Sequence, residues 1–194
     1  MNSTMKHLSA LALALALLAA PAASSQAEGE LKVADPKAAD ALVMFTKACL
    51  LTRGLPNRIA AKMKEFDGVK LPDRMAVEVA HGKLGSSVWK YDPSLHGAAL
   101  LVAAIPPARC EVMVRKVEAR SLQDGIVQVL RELAQGGEMR FHLETHSTQP
   151  TEGGSEETSN YLMKMIRDQD ASVSITTTAS PSTDIQGILV YEPH

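Results

Sequence analysis

Only two cysteines occur in the 194 residues, Cys49 and Cys110, and they lie in segments of different periodicity. Around the first, apolar residues recur at helical spacing, with Leu42, Phe45 and Cys49 on one stripe. Around the second the period is two, so Cys110, Val112 and Val114 share one face of a strand. A bond between the two cysteines would pin a helix to the apolar face of a sheet, which removes most alternative folds. Closing about 60 residues, it would disfavour the unfolded chain by roughly 4 kcal/mol on the loop-entropy model. The pair lacks the C-x-x-C proximity that depresses a thiol pKa, so it reads as a structural brace rather than a redox centre.

Such a brace persists in an oxidising compartment, and the N-terminus carries a matching address. Residues 1 to 27 have the three parts of a secretory signal: Lys6 and His7, an apolar run from Leu8 to Ala20, and a small-residue stretch ending Ser25-Gln26-Ala27. Cleavage after Ala27 is expected. The apolar run is shorter than the roughly 20 residues needed to span a bilayer, and no cysteine follows it for lipid attachment. The mature chain is therefore expected to be periplasmic or secreted, without a membrane span. With 20 Lys+Arg against 22 Asp+Glu, the chain has no basic excess, and nucleic acid is excluded as an expected partner.

The spacing predicts a helical hairpin, with a first helix over 38–52 and a second from Pro56 through Ile59, Met63 and Phe66 to the stop at Asp67-Gly68. Residues 69–82 are mixed and read as a helix after Pro72. Strands follow at Ser87 to Tyr91, Ala98 to Ile105 and Cys110 to Arg115, separated by Asp92-Pro93 and Pro106-Pro107. Ser121 with Asp124 resembles a capping pair, and Leu122, Ile126, Val129, Leu130 and Leu133 then define an amphipathic helix ending at Gly136-Gly137. Met139 to Thr145 alternates as a strand. The Ser/Thr/Gly/Glu-rich stretch 147–159 cannot bury much and is expected to be an exposed loop. Residues 161–168 fit either a strand or a helix, and strands at Ala171 to Thr178 and Ile185 to Tyr191 close the chain. With no repeat and no second core, residues 28–194 form one expected α+β domain. Its antiparallel sheet would be packed on one face by the N-terminal helical pair and the central helix, and braced by one disulfide.

Among polar residues, His142-x-Glu144-x-His146 is the best constellation, because a period of two places all three on one strand face. Two imidazoles and a carboxylate are zinc-ligand types, and His81 or His96 can complete a shell. The spacing counts against it, since i and i+4 on a strand lie about 13 Å apart at roughly 3.3 Å per residue. The three residues therefore read first as the solvent face of a half-buried strand. Met163-x-Met165 offers thioethers suited to copper, but reads more simply as core filler. Ser87-x-x-Lys90 matches a serine–lysine pair only by chance, because i and i+3 on a strand point to opposite faces. Trp89, with Tyr91 on the same face, is a candidate ligand or interface aromatic, although core packing is the simpler role. Arg109, Arg115, Lys116 and Arg120 read as a solvated basic rim.

At Phe45-x-x-x-Cys49, Trp89 and Cys110-x-Val112, with the helix at Ser121 and the Ser/Thr-rich strand Ser172 to Ser180, the chain resembles small secreted or periplasmic (lipo)protein families of Gram-negative bacteria. The resemblance implies a periplasmic home and a disulfide frame, and carries no activity, cofactor or catalytic residue with it. The lipid-attachment cysteine of some such proteins is absent here. Since polar catalytic residues do not cluster, the expected function is a non-enzymatic binding or interaction module with a protein partner in the cell envelope, of immunity-protein type. The alternative is a metal-binding protein or metal-dependent enzyme using zinc or copper at His142, Glu144 and His146. A small-ligand carrier would need an apolar pocket near Trp89.

Overall fold

The computed structural model describes residues 33–93, 96–166, 168–180 and 183–194; the expected signal segment, residues 1–27, lies outside them. Asp35 caps the first helix by accepting from the Lys37 N–H at 2.9 Å, and Pro36 occupies the first helical position, where its missing donor costs nothing. This helix, α1 (Pro36–Met44), runs on into a π turn over Phe45–Leu50. There Leu51 N–H donates to Thr46 O at 2.9 Å and Gly54 N–H to Cys49 O at 3.0 Å. Thr46 and Thr52 hydroxyls bond back to the carbonyls of Leu42 (2.8 Å) and Ala48 (2.6 Å), a habit that loosens and bends helices. Gly54, at φ +67°, reverses the chain where a Cβ would lie 1.8 Å from the Ala108 carbonyl oxygen. Helix α2 (Pro56–Glu65) then completes the expected hairpin.

A two-residue strand, β1 (Val69–Lys70), and a short helix, α3 (Asp73–Val79), fill the segment of mixed pattern. The remaining elements are β2 (Ser87–Tyr91), β3 (Leu100–Ile105), β4 (Arg109–Val114), α4 (Ala119–Gln135), β5 (Met139–Thr151), β6 (Gly154–Met165), β7 (Ala171–Thr178) and β8 (Gly187–Pro193). The eight strands among the described residues form one antiparallel sheet in the order β1-β2-β3-β4-β8-β7-β6-β5. Strand β8 thus sits between two meanders, β1–β4 and β5–β7, and joins them.

The main core lies between the sheet and α1, the π turn, α2 and α4. Leu42, Phe45, Ile59, Met63, Leu122, Ile126 and Leu130 pack on Leu100, Val102, Val112, Val173, Ile175 and Leu189. The Cys49–Cys110 bond joins the π turn to β4 within this layer, at a Cα–Cα distance of 5.4 Å. Gly125 lets α4 approach α1: a Cβ there would lie 2.3 Å from Leu42 Cδ1. The α+β architecture and its brace agree with the sequence. One helix does not follow the expected layering, because α3 packs on the opposite face, where Ala76 and Ala80 meet Val88, Ala103, Ile105 and Met113. Strand β3 is a continuous apolar run because it is covered on both sides.

Two expectations are corrected and one open alternative is resolved. Residues 147–159 are not a loop but the outer halves of β5 and β6, joined by a tight turn at Glu152-Gly153, with Gly153 at φ +82°. Polar residues build strands here because partners on one side, such as Thr176 to Thr158 at 3.1 Å, satisfy them while the other side stays solvated. Residues 161–165 are strand rather than helix. The helix at Ser121 begins earlier, with Glu118 at its N-cap, and Ser121 Oγ instead donates to Glu118 and accepts from Asp35 N–H.

Candidate functional site

A strand presents alternate residues to opposite faces until an extra residue intervenes. In β5, Leu143 pairs with Tyr161 and Thr145 with Asn160, so Glu144 is that extra residue. The bulge inverts the alternation. His142, opposite Leu162, lies on the face turned away from the helices, whereas His146, opposite Ser159, lies on the helix-side face. The expectation that His142, Glu144 and His146 share a face is therefore corrected. His146 Nδ1 instead contacts Ser159 Oγ at 3.0 Å and lies 3.9 Å from Glu157. His96 pairs with Asp40 at 3.0 Å and His81 stands 4.0 Å from Glu111, both away from β5. Among the described residues, no three His, Cys, Asp or Glu side chains come together as a metal site.

Beyond its base at Met139 and Phe141, β5 is exposed on both faces, and at 13 residues it is the long edge of the sheet. Leu143, although it pairs with the buried Tyr161, is itself exposed. The tight turn pairs Thr151 with Gly154, so backbone groups point alternately toward β6 and outward. Pro150, which lacks an N–H, takes an outward position, and Thr148 shares its parity. From Phe141 to Met163 there are four glutamates, Glu144, Glu152, Glu156 and Glu157, and no lysine or arginine. This edge is an acidic, ungated ladder of backbone donors and acceptors.

Trp89 belongs to the main core, and Tyr91 stacks obliquely against Phe66 with ring centroids 5.9 Å apart. Met163 is buried and Met165 packs against the same core. Burial pushes the hydroxyls of Tyr161 and Tyr191 above their ordinary value of 10.0. Two of the four residues of the basic rim are ion-paired: Arg115 meets Asp184 at 2.6 Å, and Arg109 meets both Glu111 and Glu192.

Glu111 was not singled out by the sequence pattern. Its signal is a lone acid inside Cys-Glu-Val-Met-Val, with Arg109 two residues before it and so on the same face. The side chain is 1% exposed and borders a cavity of about 390 Å³ between the end of α3 and the β3–β4 turn.

Comparison with protein-family models, curated proteins and solved structures finds no match for this chain. Among the described residues, no helix is long and apolar enough to cross a membrane.

Proposed function

We propose that this protein is a non-enzymatic binding module of the bacterial periplasm, whose partner adds an extended, basic polypeptide segment alongside β5. The observation that carries this reading is the exposed, 13-residue edge of β5. Soluble proteins usually blunt such an edge with lysines, short length or a covering helix, because it templates strand addition. Here only the bulge and Pro150 interrupt it, and its charge is uniformly acidic beyond the base. A disulfide supports an oxidising home for the chain.

The test is capture from a periplasmic extract by the oxidised protein, with and without EDTA, using Thr148→Pro as the discriminating variant. This substitution removes an outward N–H and leaves the β5–β6 ladder in place. A partner retained in EDTA, released by high salt and lost with Thr148→Pro is the expected result. Equal capture by the variant, or capture that depends on metal, would refute strand addition.

A further inference from the structure

Taking a carboxylate out of water costs several kcal/mol unless both oxygens find partners. Glu111 is only half provided for. Arg109 donates to its Oε1 from Nε at 2.8 Å and from Nη2 at 2.7 Å. The third guanidinium nitrogen, Nη1, goes to Glu192 at 2.8 Å, so one cation is shared between two carboxylates. Glu111 Oε2 is buried without a hydrogen-bond partner. His81 Nε2 stands 4.0 Å from it, beyond hydrogen-bond distance, on a side chain that is 70% exposed.

Glu111, which carries this unmet acceptor, lines the cavity described above, whose other walls include Ala80, Ile105, Pro106 and Pro107. The volume lies in the range of small-ligand sites, and the lining joins an apolar wall to polar groups, His81, Lys83, Arg109, Glu111 and Glu192. A divalent cation would want several oxygen ligands, and the described residues bring no third donor to the pair. An ammonium group suits the site better: it donates hydrogen bonds, brings the missing positive charge, and can carry an apolar stem to lie on the proline and alanine wall. Lys83, which also lines the cleft, is an exposed residue.

We propose that the cleft between the end of α3 and the β3–β4 turn binds an alkylammonium group, with Glu111 Oε2 accepting from the ammonium and Ile105 and Pro106 packing on the stem. The group can come from a free amine or from a lysine side chain of a peptide, and the two are separable. The experiment is an NMR titration of the folded, oxidised protein with 1,5-diaminopentane, with N-acetyl-lysine methylamide, and with 1,5-pentanediol as the uncharged isostere. Saturable amide shifts confined to residues 80–83 and 105–111 are expected with at least one amine, whichever binds more tightly naming the source. The diol should bind at least tenfold more weakly. Glu111→Gln should weaken the amine by a similar factor while keeping the spectrum of a folded protein. Equal binding of diol and amine, unchanged binding by a folded Glu111→Gln, or shifts spread over the glutamates of β5 would overturn the proposal. Should the variant fail to fold, the comparison of amine and diol on the unaltered protein decides alone.

Discussion

Removing the Cys49–Cys110 bond tests how much of this fold rests on one covalent link. The residues are separated by 61 positions. On the loop-entropy relation, closing such a segment lowers the entropy of the unfolded chain by about 14 cal/mol/K, or roughly 4 kcal/mol at 25 °C. In a domain of this size each kcal/mol moves the midpoint by about 2–4 °C, so the Cys49→Ala/Cys110→Ala variant should melt roughly 8–16 °C lower. Both cysteines are fully buried, and the missing sulfurs leave a small void that adds to the loss. Urea unfolding followed by circular dichroism measures the free energy, and its slope reports the unfolded state. If the bond acts mainly on the unfolded chain, the slope should rise in the variant, because an unlinked chain exposes more surface. A loss below about 1 kcal/mol with an unchanged slope would refute the reasoning, and would mean that the linked ends stay together without the bond.

Gly54→Ala should destabilise more than Gly125→Ala, since the first new Cβ meets a backbone oxygen at 1.8 Å with a left-handed φ and the second meets the tip of Leu42. For the helical glycine, about 1–3 kcal/mol of overpacking outweighs a gain of up to about 1 kcal/mol in helix propensity; thermal melts rank the two. Arg109→Met strands the buried Glu111 carboxylate and should cost about 3–5 kcal/mol, while Arg109→Met/Glu111→Leu should recover most of it, as read by urea midpoints. Tyr161 and Tyr191 hold their protons more tightly folded than unfolded, so their contribution is intact below pH about 10 and is lost as pH rises through the folded values. Stability measured from pH 8 to 11 should fall more steeply in the unaltered protein than in Tyr161→Phe/Tyr191→Phe.

Burial explains what was legible in the chain. Strand β3 is an apolar run, β2 and β4 alternate between turns marked by glycine and proline, and helices α1, α2 and α4 carry apolar stripes, so composition and period locate them directly. Cys49 and Cys110 were readable as a pair because each falls on the apolar side of its own element. The outer halves of β5 and β6 were not, because Ser, Thr, Glu and Gly supply no apolar period there, and the pairing of two polar strands across a tight turn leaves no mark in hydrophobic spacing. Period counting also assumes an unbroken ladder, so the bulge at Glu144 stayed hidden and with it the separation of His142 from His146. The α3 face and the cleft at Glu111 depend on contacts between a seven-residue helix and a hairpin turn, which no local window contains.

The place of β8 in the sheet has a bearing on how the chain is made. Both meanders can form as soon as their own residues leave the ribosome, since each pairs neighbours in sequence. The sheet cannot close until the last of its strands in chain order has been synthesised, because β4 and β7 each pair with β8 and not with one another. A nascent chain stalled before Gly187 would hold two half-sheets, each with an open inner edge bearing Val112 or Ile175. During translation those edges are the stretch that a holding chaperone would need to shield.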